Sequence, residues 1–216
     1  MIFDMTKRVS GGGGDNLDGT LTTYTNNSIT DWPPLRNLQT LVALAVTKVW
    51  PMRYAAALVS FCMPNAVAQD SSCFQGLTNL KYAVINKSGS SNYQGIFRAC
   101  SALEKADISG NSISNAYFFY QCTALSVLVL RHTGIVTMGS STINGTFVGS
   151  SLSSGGNGCT IYIPKSLYDH LGDGTSLDYK NATGWSAYDG YGTITWAKIE
   201  GSYYETHYAD GTTIPT

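Results

Sequence analysis

Phe97-Arg-Ala-Cys100-Ser-Ala-Leu103-Glu-Lys-Ala106-Asp-Ile108 aligns without a gap on Phe119-Tyr-Gln-Cys122-Thr-Ala-Leu125-Ser-Val-Leu128-Val-Leu130. Apolar residues fall at offsets 0, 3, 6, 9 and 11 in both stretches. Offsets 0, 3 and 6 suit a helical or 3₁₀ turn, whereas 9 and 11 alternate as residues on one face of a strand do. The switch of period inside one short stretch reads as a turn that feeds a strand.

Working outward, the same template fits Phe74, Leu77, Leu80, Ala83 and Ile85, then Met52, Ala55, Leu58, Phe61 and Met63, then Trp32, Leu35, Leu38, Leu41 and Ala43. The first positions of the five units are separated by 20, 22, 23 and 22 residues, and a degenerate sixth unit begins at Phe147, 28 residues after Phe119. These spacings lie within the roughly 20–29-residue window of leucine-rich repeats. One unit cannot bury its apolar face alone, but stacked units share a continuous core and line up their strands in parallel. The expected fold is therefore an α/β repeat solenoid: a slab with short parallel strands on one face and short helical or 3₁₀ turns on the other. Offset 3, held by Leu35, Ala55, Leu77, Cys100 and Cys122, should form an inward column.

The phrase Phe-x-x-Cys-x-x-Leu followed by a short strand resembles the BspA-like leucine-rich repeats, and Leu58-Val-Ser-Phe61-Cys-Met63-Pro64-Asn-Ala-Val67 leading to Cys73-Phe74 is similar to that family's strand, proline and turn segment. Asp18-Gly-Thr-Leu-Thr-Thr-Tyr24 with Ile29-Thr30 resembles the N-terminal capping hairpin of such proteins from phages and gut bacteria. Thr160-Ile-Tyr-Ile163-Pro164-Lys-Ser-Leu167 with Asn181-Ala-Thr-Gly-Trp185-Ser-Ala-Tyr188 resembles their C-terminal cap. The likeness covers about residues 17 to 199, departs from the family at the turn Ala68-Gln-Asp-Ser-Ser-Cys73, and ends before the segment from Gly201 to Thr216. The glycine run, the repeat and the two cap resemblances together divide the chain into a flexible arm over residues 1–16, an N-terminal cap over 17–31, repeats over 32–159, and a C-terminal cap with a Tyr-rich tail over 160–216.

The resemblance also implies a binding or structural role and no enzymatic activity. The expected setting is a phage virion, as a tail-associated and possibly receptor-binding protein that contacts other virion proteins or a host surface receptor or glycan. The alternative is a bacterial cell-surface adhesin. The N-terminus, Met-Ile-Phe-Asp-Met-Thr-Lys-Arg-Val-Ser followed by four glycines, lacks the pattern of a secretion signal, which favours a virion assembled in the host cytoplasm. Gly11 to Gly14 suit an arm that orders against a neighbour.

Composition narrows the function classes. The 216 residues are 43% hydrophobic and only 12% charged, about half the usual charged share, which argues against a charged helical bundle. A net charge of -1 supplies no pull toward phosphate backbones, so no nucleic-acid partner is expected. The longest apolar stretches, Leu41 to Val46 and Ala55 to Met63, fall far short of the roughly 20 residues that cross a bilayer, so no membrane insertion is expected. Cys62, Cys73, Cys100, Cys122 and Cys159 contain no Cys-x-x-Cys pair, which disfavours zinc and reads as reduced, buried thiols. No metal or other cofactor is expected.

Strand alternation places offsets 8, 10 and 12 on the open face, so Tyr82, Lys105, Asp107 and Arg131, with the flanking His132, should meet solvent, either as a docking surface or as ordinary solvated strand residues. Val42, Cys62, Val84, Val127 and Val129 share that face, and so apolar a face calls for cover by another chain or by the chain's own ends. From Thr160 onward the chain holds eight of its fourteen tyrosines and two of its four tryptophans. Trp185, Tyr188, Tyr191 and Trp196 fall where a cap seals the last unit, while Tyr203, Tyr204 and Tyr208 lie beyond it as interface candidates. An apolar strand face and a Tyr-rich tail also make a homo-oligomer an open possibility. Asp169, Asp173 and Asp178, spaced 4 and 5 apart, do not fit a calcium loop and read as a solvated acidic loop. His132, His170 and His207 lie apart from any nucleophile motif.

Overall fold

A computed structural model describes residues 39–42, 46–49, 51–86, 94–109, 117–132, 134–136, 147, 150, 157–182, 185 and 194–199. The strands are β1 (Thr40–Val42), β2 (Lys48–Val49), β3 (Ser60–Ala68), β4 (Tyr82–Asn86), β5 (Lys105–Ser109), β6 (Val127–Leu130), β7 (Cys159–Pro164) and β8 (Ile194–Ile199). They form one eight-stranded sheet in the order β1-β3-β4-β5-β6-β7-β8, with β2 pairing the far end of β3. Every described pairing is parallel. The described helix is a single turn, α1 (Lys165–Tyr168), so the arrangement is α/β-like with little helix. The expected arm (1–16) and N-terminal cap (17–31), and with them Trp32, Leu35 and Leu38, lie outside the described residues.

Register follows the 22-residue spacing. Phe61, Ala83, Ala106, Leu128 and Ile161 pair in one row, and Met63, Ile85 and Ile108 run on to Leu130 in the next, all buried on the core side. On the other side of the sheet Ser60, Tyr82, Lys105, Val127 and Thr160 form one row, and Cys62, Val84, Asp107, Val129 and Tyr162 form another. Parallel strands need a crossover between them, and the residues at offsets 0 to 6 of each unit supply it.

The core is organised by rings. Phe74 and Phe97 stack at 5.3 Å, Phe97 and Phe119 at 5.6 Å, and Phe119 and Phe147 at 5.6 Å, with planes within 16° of parallel. That spacing is close to the roughly 4.8 Å between strands, so each strand step brings one ring. Met52 holds the equivalent place without a ring, and Phe61 from β3 stacks on Phe74 instead, at 4.5 Å. Trp185 lies 6.2 Å beyond Phe147, followed by Tyr179 and Trp196 within 5.9 Å of it. The indole of Trp185 donates to the Val136 carbonyl at 2.8 Å, and the Tyr179 hydroxyl accepts from the Val136 amide at 3.3 Å. Both large rings thus enter the interior with their polar atoms satisfied. Tyr188 and Tyr191 lie outside the described residues.

Offset 3 has a chemical reason for cysteine. The Cys100 thiol donates to the Phe74 carbonyl at 3.0 Å and the Cys122 thiol to the Phe97 carbonyl at 3.1 Å, each reaching back one unit. Backbone bonds tie the same turns together, from the Phe74 amide to Ile96 and from the Phe97 amide to Phe118. Where short helical or 3₁₀ turns were expected, those segments are successions of single turns closed by bonds three residues apart, Leu77 to Phe74, Leu80 to Leu77, Cys100 to Phe97 and Leu103 to Cys100, and not continuous helix. The cause is visible in the backbone: left-handed residues flank each Phe at two positions before and two after, Ser72 and Gly76, Gly95 and Ala99, Tyr117 and Gln121. A left-handed residue cannot continue a right-handed helix.

Candidate binding surface

The open face differs from its expected exposure. Tyr82 and Lys105 are half-buried at its rim, with the Lys105 ammonium 6.0 Å from the centre of the Tyr82 ring. The Tyr82 hydroxyl lies 3.3 Å from Glu104 Oε2, and Lys81 pairs with the other Glu104 oxygen at 3.3 Å. Asp107 and Arg131, expected in solvent, form a salt bridge: Arg131 Nε lies 2.8 and 3.0 Å from the two carboxylate oxygens, and the Asp107 side chain is wholly buried. They are two strand positions apart on neighbouring strands, so a guanidinium from β6's end reaches back over the carboxylate on β5. A buried charge is retained only when paired, and this pair neutralises itself within the face.

His132 is also corrected. It is 3% exposed, and neither ring nitrogen has a hydrogen-bond partner among the described residues. Burial pushes its pKa down to about 4, so the imidazole is neutral at pH 7. Tyr203, Tyr204 and Tyr208 lie outside the described residues, as does His207.

The thiols of the main core are closed off. Burial, the largest effect in each case, pushes Cys73, Cys100 and Cys159 up to about 12 and Cys122 well above its ordinary value. A thiol is a nucleophile only as thiolate, so these four act as packing groups that donate weak hydrogen bonds. In the loop after α1, Asp178 is buried, not solvated as expected. Its carboxylate accepts from the backbone amides of Gly172, Gly174 and Lys180 and from the Asn181 side chain. Burial raises its pKa, but the Gly172, Lys180 and Gly174 amides outweigh that and hold it below the ordinary carboxylate value. Both oxygens face N–H donors, the surroundings of an anchored anion and not of a cation ligand.

An aromatic and cationic cluster on the turn side escaped the sequence reading. The Arg98 guanidinium lies 5.7 Å from the Tyr117 ring centre and 5.3 Å from that of Tyr120, and the two rings meet edge to face at 5.3 Å. Arg98 is exposed and Tyr117 is 40% exposed, with a left-handed backbone (φ 64°) where the preceding units place Gly95 and Ser72. The signal was present in the alignment: Arg98 and Tyr120 share offset 1 of successive units, and stacking makes them neighbours. Cation–aromatic contacts of this kind fix a guanidinium while leaving its edge free for an acceptor.

No family model, curated protein or solved structure matches the chain. The family resemblance therefore stands on the residues that carry it.

Proposed function

We propose that the chain is a non-enzymatic leucine-rich-repeat module of the BspA-like kind, serving as a structural and binding component of a phage particle, tail-associated and in contact with other virion proteins or a host receptor. The observation that carries the reading is the Phe74, Phe97, Phe119 and Phe147 column, stacked one ring per strand step over a parallel ladder. A frame of this kind presents side chains from successive units side by side, which suits recognition of an extended partner.

The chemistry of the described groups supports binding over catalysis. The thiols of Cys73, Cys100, Cys122 and Cys159 are held protonated, His132 is buried and neutral, and Asp107 is committed to Arg131. The contact groups are Arg98, Tyr117 and Tyr120 on the turn side and Tyr82 with Lys105 at the rim of the strand side. An exposed guanidinium held by two tyrosines favours a partner that offers carboxylate or other anionic oxygens.

The test is peptide mass spectrometry on gradient-purified particles from a host producing the chain, beside fractionation of the same cells. Co-sedimentation with intact particles is expected. Recovery in the cell envelope alone supports the adhesin alternative, and a free monomer absent from both fractions overturns the proposal.

A further inference from the structure

We propose that the turn side binds a linear acidic polysaccharide bearing a carboxylate on every second sugar, with Arg53 and Arg98 each taking one carboxylate. This rests on the reading of the chain as a binding module and gives that module its ligand class. The turn side is a ladder in its own right: the Met52 amide donates to the Cys73 carbonyl, the Gly76 amide to Arg98 and the Ala99 amide to Tyr120. Successive units therefore lie about one strand spacing apart here too. Arg53 and Arg98 follow Met52 and Phe97 at the same offset, with Gln75 in the unit between them, so they stand two spacings or about 10 Å apart along the ladder. Both are exposed, and neither has an ion-pair partner among the described residues. Asp70, at the entry to the Phe74 turn, is half-buried with one carboxylate oxygen engaged by the Ser71 amide, and Glu104 is engaged by Lys81 and Tyr82. The row keeps its positive charge. An extended sugar chain advances by a similar step per ring, so carboxylates on alternate sugars meet alternate units.

Three observations favour a glycan over an acidic peptide. Tyr54, Tyr117 and Leu177 are the exposed large hydrophobic residues among those described, and the two tyrosines flank the arginines, Tyr54 next to Arg53 and Tyr117 against Arg98. A sugar ring lays its C–H face on such an aromatic face while its hydroxyls stay in water. The Arg98 guanidinium is already held by the Tyr117 and Tyr120 rings at 5.7 and 5.3 Å, which leaves its N–H edge for two parallel bonds to a carboxylate. The exposed row at offset 4, Ala56, Thr78, Ser101 and Thr123, is small throughout, so nothing on it stands in the path of a flat polymer. Finally, the Phe74, Gly76, Phe97 and Ala99 amides are spent on the adjoining unit, so an extended peptide finds no row of open backbone groups to join.

The full chain is titrated calorimetrically with hyaluronate and with unsulfated chondroitin, which both carry a carboxylate on alternate sugars, beside neutral dextran and poly-glutamate. Binding to at least one of the two acidic glycans is expected, with none to dextran and a marked weakening as salt rises. Arg53→Gln and Arg98→Gln should each weaken that binding by about tenfold or more, the loss of one charge-assisted contact. Arg98→Lys, which keeps the charge but not the planar fork, should recover only part of it. Both arginines are exposed, so the melting temperature of each variant should stay near that of the parent. If Arg98→Gln fails to fold, Arg53→Gln and Tyr54→Ala decide by the same loss of affinity. No binding to either acidic glycan overturns the proposal, as does binding that the arginine changes leave untouched. Equal affinity for poly-glutamate also overturns it, since the surface then reads charge alone. Co-sedimentation with particles in the absence of glycan binding sinks this inference and leaves the particle reading standing, whereas glycan binding by a chain absent from particles does the reverse.

Discussion

Replacing Phe97 by alanine tests the ring column at its centre. Phe97 is completely buried and lies 5.3 Å from Phe74, 5.6 Å from Phe119, 5.7 Å from Phe118 and 6.2 Å from Phe61. Truncation removes the transfer free energy of the ring and leaves a cavity that four packed neighbours, held by their own turns and strands, cannot collapse into. Phe→Ala changes of this kind cost about 3–5 kcal/mol. For a chain of 216 residues, each kcal/mol moves the melting temperature by about 2–4 °C, so Tm should fall by roughly 6–20 °C. The assay is urea unfolding followed by far-UV circular dichroism, with an unchanged denaturant slope showing that stability and not compactness has altered. Tyr54→Ala is the reference, since Tyr54 is 72% exposed and its loss should stay within about 0.5 kcal/mol. A Phe97→Ala loss below about 1 kcal/mol, or one equal to that of Tyr54→Ala, would refute the column as the organiser of the core.

Three further outcomes follow from the same geometry. His132 takes up a proton near pH 6.5 when unfolded but only near 4 when folded, so stability is intact above 6.5 and falls between 6.5 and 4 by about 3 kcal/mol in all; His132→Leu should flatten the urea midpoint over that range, and a slope that survives the change contradicts the burial. Asp107→Ala strands the nearly buried Arg131 guanidinium and should cost about 3 kcal/mol, whereas the added change Arg131→Met should restore part of it; a double-mutant cycle showing no coupling would disprove the pair. Gly76 has φ 76° and nothing within 4 Å of where a methyl group would sit, so Gly76→Ala should cost only the backbone strain of about 1 kcal/mol, while Gln121→Gly, at φ 60°, should raise Tm; equal and opposite shifts are the expectation, and two losses would refute it.

The repeat was legible because it rests on period alone. Phe97 to Ile108 and Phe119 to Leu130 place the same side-chain types at the same offsets, and any two such units that stack must bring their rings and strands together. Strand direction, the core rows from Phe61 to Leu128 and from Met63 to Leu130, and the buried column at offset 3 follow from that. The turns were less legible. Ala99, Tyr117 and Gln121 are not residues that announce a left-handed backbone, and only closure of the unit onto its neighbour forces them into it.

What the amino-acid order determined by itself is which side of each strand a residue occupies, because alternation is a local property of extended backbone. What only the tertiary structure decided is whether that side meets water. Asp107 and Arg131 share the open face as read, yet they find each other 24 residues apart, with the Asp107 carboxylate wholly buried and the Arg131 side chain nearly so; His132, one residue further, is enclosed with no hydrogen-bond partner among the described residues. Burial is set by whatever lies above a face, and residues distant in the chain supply it, so periodicity within one unit carries no record of it.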